Sequence, residues 1–328
     1  MKHDATVTII LIAIFVISQI TGLFLVSKSM QPFSCEEENA TCAPTYTTTT
    51  VGERPETEGA YSVIYLVVGV AIGTIILLLL AKFKQTNIWR IWFFLAVVIA
   101  VSVALGVILP LIIPWDGAFI IAWAVAILIA IWKLWKPNII IYNLAEVLMY
   151  SGIAVLLAPI FEVKWVIILL IIISIYDAYA VWKSKHMVKM AKFITGTNAF
   201  AGLVIPYKIG KDKGNKGISM HLPDAQHQQQ SLEKDATHKN AILGGGDITF
   251  PLIFGGAVLQ DKVITLVSSG TPFAQAVWQG FGVSLFVALG ATIAVAGLFF
   301  LAKKDTFYPA MPFISAGCLL GWAVTLIL

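Results

Sequence analysis

The stretches IIISIYDAYAVW (residues 171–182) and LGGGDITFPL (residues 243–252) each hold one aspartate, Asp177 and Asp247, in an otherwise uncharged run. A carboxylate at membrane depth costs about 2.5 kcal/mol or more unless it faces protein or water, so each aspartate marks a candidate site. The composition around them sets the class. Hydrophobic residues make up 59% of the chain and charged residues 12%, against about 25% charged in a soluble domain. Apolar runs of membrane length recur from end to end, which predicts an all-α polytopic membrane protein. A transmembrane β-barrel would show segments of roughly ten residues with alternating polarity, and none is present.

Reading outward from the two stretches gives nine spans. Span 1 covers residues 6–26, followed by a polar, acidic loop at 27–60. Spans 2 and 3 cover 61–81 and 89–109, the latter closed by a turn at 110–114, and spans 4 to 6 cover 118–132, 139–158 and 165–182. A hydrophilic segment at 183–241 precedes span 7 at 242–259. Residues 263–302 form one long uncharged stretch, with span 8 expected at 280–301 and an external hairpin or half-helix at 263–279. Span 9 covers 307–327. Three parts result: residues 1–182 with the first six spans, a loop at 183–241, and residues 242–328 with the last three.

The positive-inside rule orients the spans. A cytoplasmic N-terminus and an extracellular C-terminus put 18 of the 22 Lys and Arg residues on the cytoplasmic side. Lys133 and Lys136 count among the cytoplasmic collars. The net charge of +4 therefore reflects sidedness in a lipid bilayer rather than an affinity for nucleic acid. The loop at 27–60 falls outside, where Cys35 and Cys42 fit either a disulfide or two free thiols. Within 183–241, the run FAGLVIPYKI (residues 200–209) is β-capable. The histidines of this segment do not have the spacing of a compact metal site, and no phosphate-binding or dinucleotide motif is present. No cofactor is expected.

At 1.5 Å rise per residue, Asp177 lies about 9 Å before Lys183 and Asp247 about 12 Å after Lys239. Spans 6 and 7 run in opposite directions, so the two aspartates occupy one layer near the cytoplasm. Gly244, Gly245 and Gly246 permit close backbone approach where span 7 begins. Pro251 removes a backbone donor one turn after Asp247. Span 9 opens with YPAMPFISAG, where Pro309 and Pro312 read either as an irregular segment lining the same cavity or as a short loop before a helix starting at Phe313. Tyr176 and Tyr179 serve equally as site donors or as interface anchors. Tyr142, Asn143, Glu146 and Tyr150 form a polar stripe on span 5. It reads as a structural network rather than an ion site, on the premise that no matching charged partner lies at that depth.

Two carboxyl groups facing each other in a low-dielectric site share one proton. The ionised member activates water, and the protonated member polarises a scissile carbonyl. The same two carboxylates also suit a proton- or cation-coupled transporter or leak channel. Tyr176-Asp177, Gly244-x-Gly246-Asp247 and Pro309-Ala310-Met311, on spans 6, 7 and 9, resemble the motifs YD, GxGD and PAL of the presenilin and signal peptide peptidase family of intramembrane aspartyl proteases. The orientation resembles the presenilin branch, and the short single chain is similar to the archaeal and other microbial homologues. The resemblance implies that Asp177 and Asp247 form a catalytic dyad, with the three glycines, Tyr176, Pro309, Ala310 and Met311 shaping the site. It also implies an intramembrane-cleaving endopeptidase whose substrates are transmembrane segments of other proteins, with no requirement for accessory subunits. Met311 stands where the family has Leu, and Gly245 fills the variable position of GxGD that is linked to substrate preference. A prepilin-type aspartyl peptidase also carries GxGD but has no PAL motif. The β-capable run at 201–209 suits pairing with an extended substrate peptide.

Overall fold

In the computed structural model, residues 5–33, 44–54, 59–83, 85–113, 117–136, 138–184, 200–206, 240–301 and 308–327 are described. Nine α-helices are found among them: α1 (Ala5–Ser29), α2 (Ala60–Lys82), α3 (Thr86–Ile112), α4 (Ala118–Trp135), α5 (Ile139–Leu157), α6 (Val163–Tyr179), α7 (Gly245–Ser268), α8 (Phe273–Leu301) and α9 (Ala310–Thr325). Eight are long and apolar enough to cross a membrane; α9 is apolar and 16 residues long. The protein is a multi-pass membrane protein, and the described residues are all-α apart from two short antiparallel ribbons and an isolated bridge between Thr49 and Gly52. One ribbon pairs β1 (Met30–Gln31) with β2 (Thr45–Tyr46), and the other pairs β3 (Gly202–Pro206) with β4 (Asn240–Gly244).

Several span boundaries differ from those expected. The helix expected to end at 259 continues through Asp261 and Lys262 to Ser268, and α8 begins at Phe273 rather than near 280. The hairpin or half-helix expected at 263–279 is thus the end of one helix, a turn and the start of the next. Gly270, with φ of +87°, makes the turn, because glycine adopts positive φ without a Cβ clash. The turn expected at 110–114 starts later, since Pro110 lies inside α3. The start of span 7 is also revised: residues 240–244 form strand β4 and the helix begins at Gly245. Helix α9 starts at Ala310, not Phe313, with Pro309 as its N-cap. Pro312 falls in the first turn, where a missing N–H breaks no intrahelical bond.

Small residues bring the helices together. Ala118, Ala122, Ala126 and Ala130 recur every fourth position and are all buried in α4, which packs on α3. A Cβ on Gly290 would sit 2.1 Å from the Gly317 carbonyl oxygen, and one on Gly317 2.4 Å from that of Gly290. The backbones of α8 and α9 are therefore in direct contact, the usual role of small residues where lipid supplies no hydrophobic drive. Helix α1 is central, packing on α5, α7 and α8, while α2 packs less extensively on α3 and α6 and donates from the Ser62 hydroxyl to the Ile160 carbonyl at 2.7 Å. Large apolar side chains such as Ile120, Ile293 and Leu320 face outward, as a lipid-facing surface requires.

The polar segment at 44–54 is better anchored than its composition suggests. Arg54 donates from Nε to the Val155 carbonyl (3.0 Å) and from Nη1 to the Thr47 carbonyl (2.9 Å). The Tyr46 hydroxyl donates to Gln260 Oε1 (2.7 Å), and the Trp123 indole to the Thr50 carbonyl (3.3 Å). Burial pushes the Tyr46 phenol up and the Arg54 guanidinium down from their ordinary values. Cys35 and Cys42 lie outside the described residues, as do most of the segment at 183–241 and its histidines; Cys318 is a buried free thiol.

Candidate active site

Asp177 lies in the last turn of α6, which passes into a π-helical turn at Ala180–Ser184. Its Oδ2 accepts a hydrogen bond from the Met311 backbone N–H at 3.1 Å. The first N–H groups of any helix have no intrahelical partner, and the N-cap Pro309 supplies no side-chain cap to α9. Asp177 fills that place from another helix, its charge set against the positive end of the α9 dipole. A second tie between α6 and α9 joins the Ser174 and Ser315 hydroxyls at 2.9 Å. Met311 and Pro309 are buried, and Ala310 is half-buried.

Asp247 is the third residue of α7, whose N-cap is Gly244. Its carboxyl turns back to the Gly244 backbone N–H, as the acidic residue of a capping box does. Asp177 is near enough to act on Asp247 electrostatically, and α6 packs on α7. The residues singled out on three separate spans thus meet at the cytoplasm-expected ends of α6, α7 and α9. Pro251 is buried within α7 and leaves the Asp247 carbonyl without its usual donor. One residue on, the Ile248 carbonyl accepts from Gln19 Nε2 of α1 at 3.0 Å.

The three glycines differ. A Cβ on Gly246 would find nothing closer than 3.6 Å, whereas one on Gly245 would lie 2.8 Å from the Tyr150 hydroxyl oxygen and 2.9 Å from a ring carbon. Of the three glycines expected to permit close approach, Gly245 is the most tightly approached, by the Tyr150 side chain of α5, and a Cβ on Gly244 would lie 3.2 Å from Asp247 Oδ2. Tyr176 is 53% exposed and Tyr179 55% exposed, placing both side chains outward.

The polar stripe on α5 docks the β3–β4 ribbon. Tyr142 donates to the Phe200 carbonyl (2.6 Å), and Asn143 bonds both the N–H and the C=O of Val204 (3.1 Å each). Glu146 accepts from the Gly202 N–H at 3.0 Å and from the Tyr150 hydroxyl. The premise that Glu146 lacks a charged partner is overturned: Lys133 of α4 pairs with it, both side chains wholly buried. Lys133 is therefore no solvated collar. It stands two residues before the end of α4 and one beyond the span expected at 118–132, which is why charge patterning assigned it to the surface. Gln19 was missed as well, being one amide in an apolar run.

Strand β3 has no free edge for an added peptide. Backbone groups of even-numbered residues face α5, and those of odd-numbered residues face β4 in the register Leu203↔Leu243. Alternation in an antiparallel pair leaves the backbone of Ile242 on the outer edge of β4, and its side chain is 40% exposed. No group of three metal-ligating side chains forms among the described residues. A cavity of about 340 Å³ lies toward the other end of α7, lined by Glu162, Lys164, Gln260 and Asp261. It is some 13 residues, about 20 Å of helix, from Asp247.

The sequence model of the family described as "Signal-peptide peptidase, presenilin aspartyl protease" matches residues 12–328. The chain belongs to this family. Two solved structures are similar in fold. One, "Structure of a presenilin family intramembrane aspartate protease in P2 space group", has a TM-score of 0.57 at 15% identity, covering 97% of this chain and 96% of that one. The other, of the same description in a C222 space group, has a TM-score of 0.56 at 16% identity, covering 98% of each chain. No curated protein matches. Family membership implies a protease-like enzyme and substrates that are themselves embedded in the lipid bilayer.

Proposed function

We propose that the protein is an intramembrane aspartyl endopeptidase in which Asp177 and Asp247 together activate water against a peptide bond of a transmembrane substrate. The observation that carries this reading is the hydrogen bond from the Met311 N–H to Asp177, with Asp247 in electrostatic reach of the same carboxyl. A carboxyl held at a helix N-terminus retains its charge readily, and a second carboxyl beside it then favours a shared proton. The ionised member takes a proton from water as it attacks the carbonyl carbon. The protonated member hydrogen-bonds to the carbonyl oxygen, and a proton passes to the departing nitrogen as the C–N bond breaks.

In this reading the N-terminus is cytoplasmic and the C-terminus extracellular, and residues 183–241 form a cytoplasmic loop between the two groups of helices. An extended substrate strand adds to the outer edge of β4 at Ile242, a few residues before Asp247, rather than to β3. Gly244, Gly246, Pro309 and Ala310 shape the space beside the dyad. No accessory subunit or cofactor is invoked.

The test is reconstitution of the purified full chain with a transmembrane peptide. Cleavage inside the hydrophobic segment is expected, reduced about 10³-fold or more in both Asp177→Asn and Asp247→Asn. Cleavage that persists in both variants would exclude the dyad.

A further inference from the structure

The peptidase reading leaves one buried cluster unused. Three polar side chains on one face of α5, Tyr142, Asn143 and Glu146, bond β3 or Phe200 just before it, and a fourth, Tyr150, bonds Glu146. At their centre lies a fully buried ion pair. Burying two charges costs more than packing apolar side chains in their place, unless the remaining lone pairs are used. They are used here. Lys133 occupies Oε1 of Glu146, while Oε2 accepts from the Gly202 N–H and the Tyr150 hydroxyl.

Both donors lead to Asp247 by short routes. Gly202 pairs with Gly244, and its neighbour Ala201 accepts at its carbonyl from the Gly245 N–H (3.3 Å). The Tyr150 ring fills the notch left by the absent side chain of Gly245. Glu146 therefore grips β3, whose partner β4 runs directly into α7, and the ring beneath the first residue of α7. Asp247 is two residues further on.

We propose that Glu146, charge-balanced by Lys133, is a positioning residue for Asp247, holding β3 and the Tyr150 ring against the first turn of α7. The inference rests on the reading of Asp247 as a reacting carboxyl. An apolar side chain could fill the volume of Glu146 but could hold neither donor, and Gly245 is glycine because the positioned ring needs its place.

The test uses the full chain in a Lys133→Met background, which removes the counter-charge, and compares Glu146→Gln with Glu146→Leu. Glutamine keeps a carbonyl oxygen for the two donors; leucine keeps only bulk. Amide hydrogen exchange over residues 240–247 and the kinetics of transmembrane-peptide cleavage are read together. Exchange is expected to stay near wild type with glutamine and to quicken about tenfold with leucine, as a lost buried hydrogen bond implies. With leucine, kcat is expected to fall about tenfold and KM to change less than about twofold, at a thermal midpoint matching the glutamine variant. Indistinguishable exchange and kcat in the two variants would overturn the proposal. If wild type cleaves nothing, the peptidase reading fails, and the exchange contrast alone decides whether Glu146 positions this segment. Should the leucine variant not fold, Tyr150→Phe in the native background removes one donor and keeps the ring. A kcat lowered about threefold or more with quickened exchange at 245–247 supports the proposal, and unchanged values refute it.

Discussion

Gly245 shows how much a single missing side chain can settle. The glycine run suggested close backbone approach where span 7 begins, and the tightest approach is that of the Tyr150 side chain, 2.8 Å from where a Cβ on Gly245 would stand. Alanine at this position must displace a ring that Glu146 and the surrounding core hold in place. Overpacking of this kind costs about 1–3 kcal/mol. Gly245→Ala is expected to lower the unfolding midpoint in detergent and the cleavage rate together. Gly246→Ala, with nothing closer than 3.6 Å, should leave the unfolding midpoint nearly unchanged. Equal destabilisation by the two substitutions would contradict the packing described. In the sequence the two glycines are equivalent neighbours; the ring that distinguishes them is about a hundred residues away.

At the scale of elements, α5 is the informative helix. Its stripe was visible as polar residues at i, i+3 and i+4 spacing, and the structural role expected of it agrees with its bonds to β3. The partner was not visible, because Lys133 stands near a span end, where lysine is normally solvated. Removing one member of a buried pair leaves the other uncompensated, at a cost of about 3–5 kcal/mol. Lys133→Met alone should therefore destabilise the protein by roughly that amount in chemical unfolding, and adding Glu146→Gln should restore most of it. A single variant as stable as the double would mean that Glu146 carries no charge to balance. The α7–α8 boundary was misplaced for a different reason: residues 263–302 contain no charge to mark a turn. Positive φ at Gly270 marks it only once the backbone is known.

For the whole molecule, sidedness is the property to test. The distribution of basic residues predicts loop 27–60 outside and 183–241 inside. After mild reduction by an impermeant reductant, an impermeant thiol reagent added to intact cells should label Cys35 and Cys42. A cysteine introduced between residues 211 and 235 should react only after permeabilisation. The opposite pattern would invert every helix and put the aspartates near the outer face. The docked segment at 44–54, held by Arg54 and Tyr46 to the ends of α5 and α7, would move with it as one unit.

The apolar runs alone carry the membrane class and the order of the spans, and their spacing predicts a common depth for Asp177 and Asp247. Those properties follow from local hydropathy and a constant helical rise. Only the tertiary structure decided that Asp177 caps α9 through Met311, that Lys133 meets Glu146, and that Tyr150 occupies the notch of Gly245. In a water-soluble helix an apolar stripe reveals the buried face. In a bilayer the lipid-facing and protein-facing sides are both apolar, so the sequence carries depth along each helix but little of its rotation. The candidate site is made by rotation: Asp177 reaches the Met311 N–H only when α6 and α9 are turned to face each other.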